Sequence, residues 1–240
     1  MSKQTTPHGD ERPSILLIAG FGDNASMYDE LANTQLAVSY RLVPLNLPGF
    51  GAPPLEAAAT LEALAQTVAE AATKSGSEII IAHSVASIIA SLAAKRADCP
   101  LTTIVSLEGN ITADDAYFSG TAARFDDPAS FQAHFLERLD DMAKSDPIIQ
   151  RYRNEVLKAD TTALWQLGID AHHYSQAHVP GEALQEAARV IYFYNPDNCP
   201  DSTVRWLEDC AMKRVVLSNA SHWASIDQPE TLAAEIAEAL

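Results

Sequence analysis

Ser84, His222 and two carboxylates, Asp197 and Glu108, are the residues whose types and order fit nucleophilic chemistry. A serine hydroxyl is a weak nucleophile until a neighbouring base takes its proton, and an imidazole titrating near neutrality suits that task. A carboxylate then holds the imidazole in the tautomer that can accept the proton. Ser84 lies in Ile79-Ile80-Ile81-Ala82-His83-Ser84-Val85-Ala86, where a β-branched run stops abruptly and an apolar helical pattern begins at once. A sharp strand-to-helix turn of this kind lifts a hydroxyl above a sheet, over the N-terminus of a helix. His222 stands in the short loop after another apolar run, where it can come back over the same sheet.

The elements that must position these residues alternate. Residues 14–19 (Ser-Ile-Leu-Leu-Ile-Ala) form a continuous apolar run, as in a strand buried on both faces. Residues 41–45 suggest a second strand, and Pro44, lacking an amide donor, puts it at a sheet edge or ends it early. A helical pattern over 60–73 has Thr60 as N-cap, with Ala63 where a full capping box carries Glu or Gln. Strand 78–82, helix 85–96 and strand 102–107 follow. Strands alternating with helices imply a parallel sheet with right-handed crossovers. From 110 to 187 no strand pattern appears, and Pro128, Pro147 and Pro180 punctuate helical stretches. The alternation resumes with strand 189–194, a helix near 201–211, strand 214–217 and a last helix over 228–240 that has Pro229 in its first turn.

The bulk composition bounds the function classes. A chain of 240 residues with 47% hydrophobic content can bury one sizeable α/β core. The formal net charge of −16 disfavours nucleic acid and anionic lipid as partners. The polar first ten residues carry no signal-peptide pattern and no apolar run is long enough to cross a bilayer, so a cytoplasmic location is expected. Cys99, Cys199 and Cys210 lack Cys-x-x-Cys spacing, which favours reduced thiols over a disulfide framework or zinc site. His172, His173 and His178 cluster near Asp170 without a ligand motif, so no metal is expected there.

Four motifs resemble the α/β-hydrolase family. Residues 18–23 (Ile-Ala-Gly-Phe-Gly-Asp) resemble its oxyanion loop, and 46–51 (Asn-Leu-Pro-Gly-Phe-Gly) its Asp-Leu-Pro-Gly-Phe-Gly turn. Ala82-His83-Ser84-Val85-Ala86 resembles its Gly-x-Ser-x-Gly elbow, and 221–230 its histidine loop and last helix. Alanines replace both elbow glycines, Ala19 stands where the family has histidine, and Asn46 where it has aspartate. The resemblance implies an α/β-hydrolase fold: a mostly parallel sheet of about six strands flanked by helices. Residues 1–109 and 188–240 would form the core, with 110–187 a helical cap inserted in it. It implies Ser84 as nucleophile, His222 as base and Asp197 as acid, with Glu108 the alternative acid at a neighbouring strand end. The backbone amides of Phe21 and Val85 would form the oxyanion hole.

Phe21, His83 and Trp223 are expected to meet substrate. Asn24 and Ser26 read as turn and capping residues, and Trp165, Phe118, Phe125, Phe131 and Phe135 as packing of the cap. The expected activity is cofactor-independent hydrolysis of a carboxylic ester, thioester or related acyl bond in a small, largely apolar substrate. The same fold also serves carbon–carbon bond hydrolysis, lyase chemistry and non-catalytic small-molecule binding. The oligomeric state is left open.

Overall fold

A computed structural model describes residues 12–240. The polar first ten residues lie outside the described residues. The described chain begins with β1 (Ser14–Ile18), followed by a 3-10 turn at Ala25–Tyr28, a second at Leu31–Asn33, and α1 (Gln35–Ser39). Next come β2 (Arg41–Leu45), the two-residue strands β3 (Leu47–Pro48) and β4 (Gly51–Ala52), and α2 (Leu61–Ser75). β5 (Ile79–His83), α3 (Ala86–Ala94) and β6 (Thr103–Leu107) complete the first half. Two 3-10 segments, Ala113–Ala116 and Ser119–Arg124, lead into α4 (Pro128–Ala143), α5 (Pro147–Lys158), α6 (Thr161–Ala177) and α7 (Pro180–Ala187). β7 (Arg189–Tyr194), a 3-10 turn at Pro196–Asn198, α8 (Asp201–Asp209), β8 (Lys213–Val216), α9 (Ala224–Asp227) and α10 (Pro229–Ala239) close the fold.

Six strands form one sheet in the order β2-β1-β5-β6-β7-β8, every neighbouring pair parallel. β1 and β6 are buried along their whole length, which is why they read as unbroken apolar runs rather than alternating ones. β2 lies at the sheet edge, where Pro44 costs no ladder hydrogen bond to an outer neighbour. Thr60 caps α2 by accepting from the Ala63 amide, and Gly76 ends it in the left-handed conformation. β3 and β4, a small strand pair inside the 46–52 turn, are absent from the sequence-based expectation.

The helical segment between β6 and β7 contains no strand. Asp127, Asp146 and Asp160 cap α4, α5 and α6 through their carboxylates, and Pro128, Pro147 and Pro180 sit in first turns, which explains the prolines at these boundaries. Phe131 and Phe135 are fully buried and stack at 5.7 Å, with Phe125 against Phe131 and Phe118 against Phe135. The segment is tied to the loops at the carboxyl end of the sheet. The Asp160 amide donates to the Gly49 carbonyl (2.8 Å), and the Leu61 amide to the Asp170 carboxylate (2.7 Å). Arg151 pairs with Glu30 and donates to the Ser26 carbonyl. No helix among the described residues is long and apolar enough to cross a membrane.

Candidate active site

Ser84 follows β5 directly and stands two residues before the start of α3. Its φ is +52°, in the left-handed region that L-residues rarely occupy. The Ser84 amide donates to the Leu107 carbonyl of β6 (3.0 Å), fastening the bent backbone to the neighbouring strand. The bend needs little room on either side, and the flanking Ala82 and Ala86 are small and fully buried. Alanine therefore serves where the resemblance has glycine. The close approach falls instead on Gly20, where an added Cβ would lie 2.8 Å from His83 Nδ1 and 3.0 Å from the Ser84 Cβ.

Asn46, standing where the resemblance has aspartate, accepts the Ala25 amide on its side-chain oxygen (2.9 Å) and so ties the 46–51 turn to the loop after β1. Neither the Phe21 amide nor the Val85 amide donates to another group among the described residues. Val85 is the N-cap of α3, so its N–H stands at the positive end of that helix.

His222 and Ser84 line the same small cavity, together with Gly20, Phe21, Asp23 and Tyr117. His222 Nδ1 donates to Glu108 Oε2 at 2.6 Å, and both side chains are largely buried. The other oxygen, Oε1, accepts the Asn195 amide (3.0 Å) and the Asn198 side-chain amide (2.8 Å). Glu108 therefore faces the imidazole with a carboxylate held from behind by two donors. With Nδ1 occupied, Nε2 is the nitrogen left to accept a proton.

The structure brings Glu108, the alternative carboxylate, to His222, and gives Asp197 no contact with it. Asp197 is exposed, in the 3-10 turn after β7, and the contact given for it is its own amide donating to the Asn195 side chain (3.2 Å). The loop after β7 does not bring Asp197 to the imidazole; its Asn195 and Asn198 hold the Glu108 carboxylate instead. Asn195 and Asn198 also both donate to the Ala220 carbonyl (2.8 and 3.0 Å), two residues before His222. Glu108, on the strand end next to Ser84, reaches the imidazole because its own φ is +41° and turns the chain back over the sheet.

The three expected substrate contacts, Phe21, His83 and Trp223, all line the cavity, and His83 and Trp223 also make hydrogen bonds within the fold. His83 Nε2 donates to the His222 carbonyl (2.9 Å), and its ring lies 4.5 Å from the His222 ring. Burial, with His222 adding to it, holds the His83 imidazole well below its ordinary pKa and keeps it neutral. Trp223 donates its indole N–H to Asp23 Oδ2 (3.2 Å), and the Asn24 amide donates to Asp23 Oδ1 (2.8 Å).

Burial pushes the Asp23 carboxyl up to about 6. Asp115, which also lines the cavity, is raised by burial although it accepts the Ile111 and Thr112 amides and the Thr203 hydroxyl. Asn24 behaves as a capping residue, accepting the Ser26 amide (2.9 Å), and in addition donates to Glu155 (2.6 Å). The cavity itself is narrow, with about 10 Å³ free, room for roughly one water. Larger surface grooves, of about 780 Å³ along α2 and α3 and about 870 Å³ beside α7, share no lining residue with it.

Sequence reasoning did not single out Asn195, Asn198, Asp23 or Tyr152, whose hydroxyl donates to the Phe21 carbonyl (2.6 Å). The Asn-Pro-Asp-Asn cluster after β7 marks a turn in sequence, but nothing local in it reveals that its amides reach Glu108.

The model of the alpha/beta hydrolase family matches residues 15–235, and the chain belongs to that family. No curated protein matches the sequence. Among solved structures, a hydrolase from Oleispira antarctica superposes with a TM-score of 0.74 at 15% identity, covering 96% of this chain and 92% of its own. A thermophilic esterase from Thermogutta terrifontis gives 0.71 at 17% identity, covering 94% and 88%. An esterase from Exiguobacterium antarcticum gives 0.71 at 14%, covering 95% and 91%. At these identities the likeness is one of fold.

Proposed function

We propose that this α/β hydrolase is a serine hydrolase that cleaves a carboxylic ester, thioester or related acyl bond through Ser84, His222 and Glu108. The observation that carries the reading is the 2.6 Å hydrogen bond from His222 Nδ1 to a buried Glu108 carboxylate, which leaves Nε2 free in a residue that lines the same cavity as Ser84. Ser84 Oγ attacks the acyl carbon while His222 Nε2 takes its proton. The tetrahedral oxyanion is received by the unengaged amides of Phe21 and Val85. His222 then protonates the leaving alcohol or thiol, and Glu108 stabilises the imidazolium while it exists. Water, deprotonated by the same imidazole, releases the acid and restores Ser84.

The helical segment 110–187 acts in this reading as a cap over the site. The small cavity favours a short acyl group. Phe21, Phe118 and Trp223 give it apolar walls, and the carboxyls of Asp23 and Asp115 disfavour an acyl chain carrying its own negative charge. The test is labelling with a fluorophosphonate probe alongside hydrolysis of aryl esters of graded acyl length. Covalent modification of Ser84, abolished in Ser84→Ala, and a rate that peaks at the shortest acyl chains are the expected results. Equal hydrolysis by wild type and Ser84→Ala would refute the reading.

A further inference from the structure

We propose that Tyr152, on α5 of the helical insertion, is a positioning residue for the oxyanion hole, acting through the carbonyl of Phe21; this rests on the serine-hydrolase reading above. Phe21 lies in the loop after β1 and is buried, so its carbonyl needs a partner from within the protein. Among the described residues the donor to that carbonyl is the Tyr152 hydroxyl, at 2.6 Å.

Tyr152 is itself buried, and α5 aims it inward with Ile149 and Val156 on the same face. Its ring packs 4.9 Å from that of Trp223, beside the base. Burial raises the phenol, so it stays protonated and remains a donor. The residue after Phe21 is the loop's soft joint. Gly22 has φ +71°, and an added Cβ there would lie 2.9 Å from Val156 and 3.1 Å from Leu164, on α5 and α6. The loop can therefore press its backbone against the insertion only because position 22 is glycine, and there the hydroxyl takes hold of it.

Fixing the Phe21 carbonyl fixes the peptide on one side of a residue whose N–H, on the other side, faces the developing oxyanion. Tyr152 also lines the cavity that holds Ser84 and His222, so a helix of the insertion presets the hole from the wall of the site. Interactions with the oxyanion are stronger in the transition state than in the bound substrate, so the effect belongs in kcat.

Tyr152→Phe removes the hydroxyl and keeps the ring. Its kcat should fall between about 10- and 100-fold, less than the loss of a hole donor outright, with KM within about threefold. Affinity for a trifluoromethyl ketone, which forms an oxyanionic adduct on Ser84, should fall by the same factor, while the matching methyl ketone binds as before. Arg151→Gln breaks the neighbouring ion pair to Glu30 without touching Phe21, and should keep kcat within about twofold; it reports what docking of the helix contributes alone.

A Tyr152→Phe kcat within twofold of wild type, parallel losses for both ketones, or the same loss in Arg151→Gln would overturn the proposal. If Tyr152→Phe does not fold, 3-fluorotyrosine at position 152 decides. It changes donor strength with the fold intact, so kcat moving at constant KM supports the role and unmoved kcat overturns it. Ser84→Ala separates the two readings: full turnover there overturns both, whereas loss there with an unaffected Tyr152→Phe overturns the positioning role alone.

Discussion

Exchanging Glu108 for glutamine tests the assignment of the acid most sharply, because the structure dictates how the amide must sit. Oε1 of Glu108 accepts two donors, the Asn195 amide and the Asn198 side chain, while Oε2 accepts His222 Nδ1–H. Glutamine has one acceptor oxygen, and the two asparagine donors demand it. The NH₂ group must then face Nδ1. To accept from it, the imidazole moves its proton to Nε2, the nitrogen that should take the proton of Ser84. The base is left in the wrong tautomer while the fold keeps its hydrogen bonds.

Loss of the correct tautomer costs about 10⁴-fold in kcat, about 5.5 kcal/mol of barrier. The assay is kcat and KM on a short aryl ester for wild type, Glu108→Gln and Asp197→Asn, with thermal melting as a control. Glu108→Gln should lose about four orders of magnitude in kcat and melt within a few degrees of wild type. Asp197→Asn, on an exposed turn, should stay within about threefold. A Glu108→Gln enzyme within tenfold of wild type, or an Asp197→Asn enzyme as impaired as it, would refute this derivation.

Two further outcomes follow from particular side chains. The Asp23 carboxyl is raised by burial from its ordinary 3.8 to about 6, so the folded chain prefers it protonated; that stabilisation is full below about pH 3.8 and lost as pH rises through about 6. The unfolding free energy of wild type minus that of Asp23→Asn should therefore fall by about 2 kcal/mol between about pH 4.5 and pH 8, measured by urea titration at each pH, and a flat difference would contradict it. At Gly109 an added Cβ would lie 2.0 Å from Ser87 Oγ and 2.3 Å from Ser106 Oγ, a hydroxyl pair bonded at 2.9 Å in the core. Gly109→Ala should cost about 3 kcal/mol in denaturant stability, against about 1 kcal/mol for Gly76→Ala, which meets nothing within 4 Å and suffers only its positive φ.

Much of the architecture was legible because it is encoded locally. Unbroken apolar strands, Pro44 at an edge, the Thr60 cap and prolines in first turns each follow from a few adjacent residues and match the structure to within a few positions. The turn at Ser84 was legible for the same reason: a strand pattern and a helix pattern meet there with no residues to spare. Which carboxylate meets His222 was legible only as a choice of two, because Asp197 and Glu108 follow adjacent strands, β7 and β6, and both sit at carboxyl ends of the sheet. What separates them is a φ of +41° at a non-glycine residue and two asparagine amides arriving from another loop, neither of which leaves a mark on the surrounding sequence. The bond from Tyr152 to Phe21 spans 131 positions and was equally hidden.

The placement of Glu108 has a consequence for recombination between members of such a family. It is the last residue but one before Asn110, where the helical segment 110–187 branches off, and Tyr192 anchors the intervening Gly109 carbonyl at 2.7 Å. On the proposed assignment, a splice made upstream of residue 108 would import a foreign acid along with a foreign helical segment. A splice made beyond Asn110 would exchange that segment and keep the native pairing of Glu108 with His222. In this polypeptide, remodelling what the enzyme accepts and preserving how it turns over hinge on where a cut falls within three consecutive codons.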